Sequence, residues 1–157
     1  MRGYDHEWCF DTMTNVSPSE AGEYVLEDQI GFLLRLAMQR HAALFLTKMV
    51  DGLTQAQFAA LAKLHKHGEC TQIELGRLIS LDGSTINGIV TRMKQRELIT
   101  VTPSPTDGRS RLLAISEKGR EVVERAIPAA EAATRDTMLP LNGREAASVI
   151  AVLKKLV

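Results

Sequence analysis

Between Asp82 and Ser116 the chain gathers side chains that hydrogen-bond and cations that neutralise anions. Ser84, Thr85, Asn87 and Gly88 open an amphipathic segment, and Arg92 and Lys94 stand near its end. An asparagine can make two hydrogen bonds to an adenine edge, and serine or threonine can bond several bases. Small side chains at the start of a helix also let its backbone sit deep in a groove. Downstream, Pro103-Ser104-Pro105-Thr106-Asp107-Gly108-Arg109-Ser110-Arg111 forms a stiff basic tip between two β-forming runs. A polar, short-side-chained helix followed by such a hairpin suits DNA: the helix enters the major groove, and an arginine at the tip reaches a neighbouring minor groove. For the helix alone, a solvated polar face explains residues 84–87 as well; the hairpin favours the nucleic-acid reading. Arg92 is expected on phosphate and Arg109 in the minor groove. Asp107 is expected to be structural, orienting an arginine by a charge-assisted hydrogen bond.

The elements that must hold these residues follow from periodicity and capping. Leu26, Ile30, Leu33, Leu34, Ala37, His41, Leu44 and Phe45 recur at spacings of three and four, predicting a helix from Glu20 to about Met49. Thr54–Gln57 and Thr71–Glu74 are capping boxes, in which a threonine oxygen takes an orphan N–H and the third residue reaches back. They predict helices to about Lys66 and to Ile79 or Ser80, and Asp82 then caps a helix over 83–96 with Ile86, Ile89, Val90 and Met93 buried. Residues 98–103 and 110–115 read as strands. Ser116 caps a helix to about Thr137, and Asn142-Gly143-Arg144-Glu145 opens a last amphipathic helix. The fold expected is mainly α with a small β-hairpin, a winged helix-turn-helix. The apolar stripes on the terminal helices exceed what one small lobe can cover, so a symmetric second subunit is the simplest partner. The division expected is a tail over 1–19, dimerisation helices over 20–49 and 117–157, and a DNA-binding lobe over 50–116.

With 157 residues the chain suffices for one domain with a sizeable core or two interlocked lobes. Residues 1–30 hold one base and seven acids, net −6, so the remainder carries +6 although the whole sums to zero. That split suits a DNA-binding body with an acidic tail, or an acidic leader on an ordinary body. No apolar run approaches the roughly 20 residues that span a bilayer, and no secretion signal is evident; a cytoplasmic protein with no membrane partner is expected. Cys9 and Cys70 lack metal-ligand spacing. No phosphate loop, nucleophile elbow or paired metal motif suggests an enzyme, so neither catalysis nor a cofactor is expected.

The run Asp107-Gly108-Arg109 followed by Leu112-Leu113-Ala114-Ile115-Ser116 resembles the wing signature of the MarR family of bacterial regulators. Asp82-Gly83-Ser84-Thr85 and Ser116-Glu117-Lys118-Gly119 are also family-like, and the resemblance covers roughly residues 25–157. It implies a triangular homodimer with interlocked terminal helices, binding to palindromic operators, and release by a small, often aromatic ligand held between the dimer helices and the DNA lobe. Two departures stand out. Glu97 occupies a position where the family often has a glycine able to take positive φ, and Val101 replaces a frequent basic residue, leaving Arg92, Lys94, Arg96 and Arg109 as anchors.

Leu26-Glu27-Asp28-Gln29-Ile30-Gly31-Phe32 is similar to the first-helix start of the family's peroxide sensors, whose reactive cysteine corresponds to Gly31. A glycine cannot be oxidised, so that chemistry is not carried over, although a thiol switch on Cys9 or Cys70 is an alternative. His65, His67, Glu69 and Cys70 could ligate zinc, but they straddle a helix end, and a solvated terminus explains them better. An organic effector remains. Phe32, Leu36, Phe45 and Phe58 beside Arg35, Arg40 and His41 suit an aromatic carboxylate or its coenzyme A thioester. Taken singly, the same aromatics are core and the arginines surface. A winged-helix protein-interaction module that does not read DNA is the other alternative.

Overall fold

The computed structural model describes residues 24–104 and 110–157. Among these residues six α-helices run in the order α1 (Ile30–Lys48), α2 (Gln55–His67), α3 (Gln72–Leu78), α4 (Gly83–Gln95), α5 (Glu117–Met138) and α6 (Gly143–Leu156). Strands β1 (Cys70–Thr71), β2 (Ile99–Pro103) and β3 (Arg111–Ile115) form one antiparallel sheet with β3 in the centre. The chain is thus a winged helix-turn-helix carried on long flanking helices. None of the helices described is long and apolar enough to cross a membrane.

Local chemistry explains most boundaries. Thr54 and Gln57 cap α2, and Thr71 and Glu74 cap α3, each as a reciprocal box. Asn142 and Glu145 do the same for α6. α2 ends at Gly68, whose φ of 81° suits a residue without Cβ. α3 turns into α4 through Ser80 at φ 55°, with Leu81 N–H on the Gly76 carbonyl at 2.9 Å. A Cβ on Gly76 would lie 3.2 Å from the Leu81 oxygen, so the turn folds tightly over this glycine. The core comprises Leu53, Leu61, Leu64, Leu75, Leu113 and Val123 with the inner face of α4, where Ile86, Ile89, Val90 and Met93 are all buried.

One expectation is corrected and another is extended. The first helix does not run from Glu20. Leu26–Asp28 is a 3₁₀ turn, Gln29 is extended, and α1 starts at Ile30. The Gln29 side chain donates to the Val25 carbonyl at 3.2 Å and closes a separate turn, which spacings of three and four cannot distinguish from a helix. Residues 20–23 lie outside those described. The expected hairpin of β2 and β3 is present, and a third short strand extends it. Cys70 and Thr71 pair with Leu113 and Leu112, because the chain leaving α2 passes beside the free edge of β3.

The junction of α4, β2 and α5 is built around one crowded point. Glu97 takes φ 61°, its N–H meets the Lys94 carbonyl and the Leu98 N–H meets Met93, the paired bonds that close a helix through a left-handed residue. Ser116 then bridges the two helices. Its hydroxyl donates to the Glu97 carbonyl at 2.6 Å, its N–H donates to Leu98 at 3.1 Å, and its Oγ accepts from Gly119 N–H at 2.9 Å. Gly119 lies so close that a Cβ would overlap the Leu98 carbonyl oxygen.

Gly119→Ala must therefore push α5 away from Leu98. Overpacking of this kind destabilises by about 1–3 kcal/mol, and thermal unfolding of the variant should show the loss; an unchanged Tm would mean that α5 does not need this approach. Glu97→Gly should act in the opposite sense. A non-glycine residue at positive φ costs about 1–2 kcal/mol, while the exposed Glu97–Lys118 pair at 3.1 Å contributes little. A gain below 1 kcal/mol is expected, since glycine's freedom in the unfolded chain offsets part of the relief. A lower Tm would contradict it.

Candidate nucleic-acid interface and helix-lined cavity

α4 presents one apolar and one polar face. Ser84, Thr85, Asn87, Thr91, Arg92, Lys94 and Gln95 are exposed, and Gly88 is half-buried. The Arg92 guanidinium lies beside Gly88, with Nη1 3.5 Å from where a Cβ would stand. At the helix start the Asp82 carboxylate accepts four hydrogen bonds. Oδ1 takes the N–H groups of Ser84 and Thr85, each at 2.9 Å, and the Ser84 hydroxyl at 2.6 Å; Oδ2 takes the Thr85 hydroxyl at 2.7 Å. The hydroxyl of Ser84, followed by that of Thr85 and the backbone N–H groups, holds this carboxyl well below the usual carboxylate range.

Beyond the cap, Asn87, Thr91, Lys94 and Gln95 border a groove of about 540 Å³ whose other wall includes Gln72, Val101 and Arg111. The helix and the root of the wing therefore share one concave, polar surface. Val101, standing where a cation is frequent, forms part of its wall. Asp107 and Arg109 lie outside the described residues. Arg96, expected as a basic anchor, is engaged within the chain: its Nη2 donates to the Asp51 carbonyl, while the Asp51 carboxylate pairs with Arg125 at 2.7 Å. The left-handed Asp51, at φ 52°, turns its carbonyl and carboxylate to two different helices.

The second feature is a cavity of about 590 Å³ between α1, α5 and α6. Leu34, Met38, Met138, Leu141, Ile150 and Leu153 make its walls apolar, and Arg40, His41 and Thr137 bring polar groups to it. A smaller cavity of about 370 Å³ shares Met38, His41 and Thr134 with it and is also bordered by Phe45, Gln55 and Phe58. His41 thus stands where the two meet. Its Nδ1 lies 2.9 Å from Thr137 Oγ1, and the Thr137 hydroxyl donates to the Ala133 carbonyl at 2.7 Å. Because that hydroxyl has one proton, the pairing with His41 is met by a donating Nδ1, and Nε2 is left for another partner. The rings of His41, Phe45 and Phe58 follow at centroid distances of 6.1 and 5.9 Å, leading from α1 into α2.

Of the residues expected to bind an effector, Arg40, His41, Phe45 and Phe58 border these cavities. Phe32, Arg35 and Leu36 border neither; Arg35 stacks over the Phe32 ring at 5.0 Å, and Leu36 is exposed. Sequence reasoning missed Thr134, Thr137 and Met138 on α5. Their helical spacing, with two hydroxyls inside an apolar stripe, was a signal, but the pairing of Thr137 with His41 spans 96 residues. Among the described residues no three His, Cys, Asp or Glu side chains converge to hold a metal. Burial, and then the nearby Glu74 charge, push the Cys70 thiol up, which disfavours the reactive thiolate. Cys9 lies outside the described residues.

Comparison with known proteins agrees with this architecture. The MarR family model matches residues 53–110. The chain is 35% identical over 147 residues to the HTH-type transcriptional repressor NicR of Pseudomonas putida, covering 93% of each protein. A probable transcriptional regulator from Pseudomonas aeruginosa, known from its crystal structure, shares 42% identity; the match covers 85% of this chain and 100% of that one, with a TM-score of 0.82. Bordetella bronchiseptica BpsR, whose structure addresses regulation of its DNA binding by 6-hydroxynicotinic acid, shares 36% identity over 86% of this chain and 97% of its own, again with a TM-score of 0.82. With a recognition helix, a wing and flanking helices in this order, and with these relatives along nearly its whole length, the chain belongs to the MarR family of transcriptional regulators.

Proposed function

We propose that this protein is a repressor that binds palindromic operator DNA as a homodimer and is released by a small hydroxylated aromatic acid. The observation that carries the ligand is the apolar cavity between α1, α5 and α6 with Arg40 and His41 at its border. A guanidinium suits a carboxylate. With Nδ1 engaged by Thr137, Nε2 is the ring nitrogen left to meet a polar group of the ligand, such as a ring hydroxyl. A free acid of this kind is matched by the cavity, and the regulation of BpsR by 6-hydroxynicotinic acid supports the same class. The coenzyme A thioester is the weaker form, since its bulky nucleotide would have to lie outside.

The dimer is supported by unpartnered apolar surface. Ile30, Leu33, Leu34, Leu139, Ile150, Leu153 and Leu156 are exposed, and α6 has no buried residue. Water-exposed apolar area of this extent on α1, α6 and the turn before α6 calls for a second copy. On DNA, Ser84, Thr85 and Asn87 read bases, Gly88 permits close approach, and Arg92, Lys94 and Arg111 neutralise phosphates. Arg109 enters the minor groove with Asp107 shaping the wing.

Asn87→Ala should weaken binding to the preferred duplex by about 1–3 kcal/mol and relax preference at one base pair. Arg92→Ala should instead weaken all sequences similarly and lower the salt slope by about one unit. A gel-shift titration over several salt concentrations separates these, and salt-independent binding would favour the protein-interaction module.

The effector reading is tested on the homodimer, its mass checked by sedimentation equilibrium. A hydroxylated aromatic acid should release operator, and by linkage operator should weaken ligand binding by the same factor; tenfold corresponds to about 1.4 kcal/mol. Arg40→Ala and His41→Phe should abolish the response while operator affinity without ligand persists. Release by the thioester alone would reassign the ligand. Release by peroxide, lost in the Cys9→Ser, Cys70→Ser double variant, would replace this reading with a thiol switch.

A further inference from the structure

The cap of α4 does more than start a helix. An ionised carboxylate can only accept hydrogen bonds, so at 2.6 and 2.7 Å from Asp82 the protons must come from the Ser84 and Thr85 hydroxyls. Each hydroxyl has one proton. With that proton held by Asp82, both oxygens face outward with lone pairs only. Both backbone N–H groups on Oδ1 hold the carboxylate in place, so neither hydroxyl turns without breaking a charge-assisted bond. The same four bonds engage the negative charge of Asp82, which would otherwise repel a phosphate backbone.

We infer that Asp82 is a positioning residue that sets the polarity of base reading: Ser84 and Thr85 act as acceptors and select adenine or cytosine over guanine or thymine on the strand they contact. In the major groove adenine offers its N6 amino group and cytosine its N4 amino group, whereas guanine offers N7 and O6 and thymine offers O4, all acceptors. Phosphate oxygens are also acceptors, so the two hydroxyls are equally unsuited to the backbone. The division of labour along α4 then follows from chemistry. Its start accepts, Asn87 does both, and Arg92 and Lys94 only donate. This inference rests on the proposed entry of α4 into the major groove.

The test begins with selection of the full chain on a randomised duplex library. The positions read by Ser84 and Thr85 are those whose preference disappears in Ser84→Ala and Thr85→Val. The parent should select adenine or cytosine there. In the selected duplex, replacing that adenine by purine lacking the 6-amino group, or that cytosine by the base lacking its 4-amino group, should weaken binding roughly two- to tenfold, the net worth of one hydrogen bond. 7-Deazaadenine, which keeps the amino group, should bind as adenine does. Asp82→Asn caps a helix as well as aspartate, but its amide nitrogen donates and lets one hydroxyl turn its proton outward. That variant, folded by circular dichroism, should shift preference at one of the two positions toward guanine or thymine. Guanine or thymine chosen by the parent, indifference to the missing amino group, or an unaltered preference in folded Asp82→Asn would overturn the inference while leaving DNA reading intact. Selection that enriches no sequence at all would overturn both. The base-analogue comparison uses the parent protein and stands even if the variant does not fold.

Discussion

The close approach of α5 to the end of α4 is the constraint on which the rest of the molecule depends. Gly119 has no Cβ and so allows the first turn of α5 to sit against the Leu98 carbonyl. Ser116 caps α5 and at the same time bonds the Glu97 and Leu98 carbonyls. Glu97 accepts a strained φ because Leu98 must turn into the core beside Met93, where both are buried. From that one point leave the recognition helix, the first strand of the wing through Ile99, and the helix that runs to the cavity. Ile99 pairs with Ile115, so the wing returns to the same place.

Two packed paths join the cavity to the polar face of α4. One is α5 itself, which carries Thr134 and Thr137 at the cavity and Gly119 at the junction. It is tied to α1 near the cavity by the Lys48–Asp136 pair at 2.6 Å. The other passes through Asp51, in the turn between α1 and α2, which receives Arg96 from the end of α4 and Arg125 from α5. His41, Phe45 and Phe58 link α1 to α2 by successive ring contacts. A ligand that alters the spacing of α1 and α5 acts on elements that are close-packed at their far ends, and close-packed elements shift as bodies and do not deform smoothly.

The electrostatics are equally divided. A net charge of zero conceals an acidic first segment and a body with a surplus of six positive charges. On α4 the cations stand toward the C-terminal end, where they also complement the helix dipole, and the anion Asp82 stands at the N-terminus, where the dipole favours it. The helix can therefore place a carboxylate on a surface otherwise suited to DNA without leaving its charge unmet.

Much of this was legible in local residues, because capping and periodicity act over a few positions. The boxes at Thr54, Thr71 and Asn142, the Asp82 cap, the buried face of α4 and the two long strands are all set by neighbours within one turn or one alternation. Family membership was legible for the same reason, since its signatures are contiguous. What only the tertiary structure decided involves residues far apart in the chain. Cys70 and Thr71 became a strand because the edge of β3 passes beside them. Arg96 turned to Asp51, 45 positions away, instead of facing outward with Arg92. Glu97 took a left-handed backbone because packing of Leu98 outweighed its own preference. The cavity joined His41 to Thr137 and left Phe32, Arg35 and Leu36 outside, since which side of α1 faces α5 depends on how two helices pack and not on the composition of either.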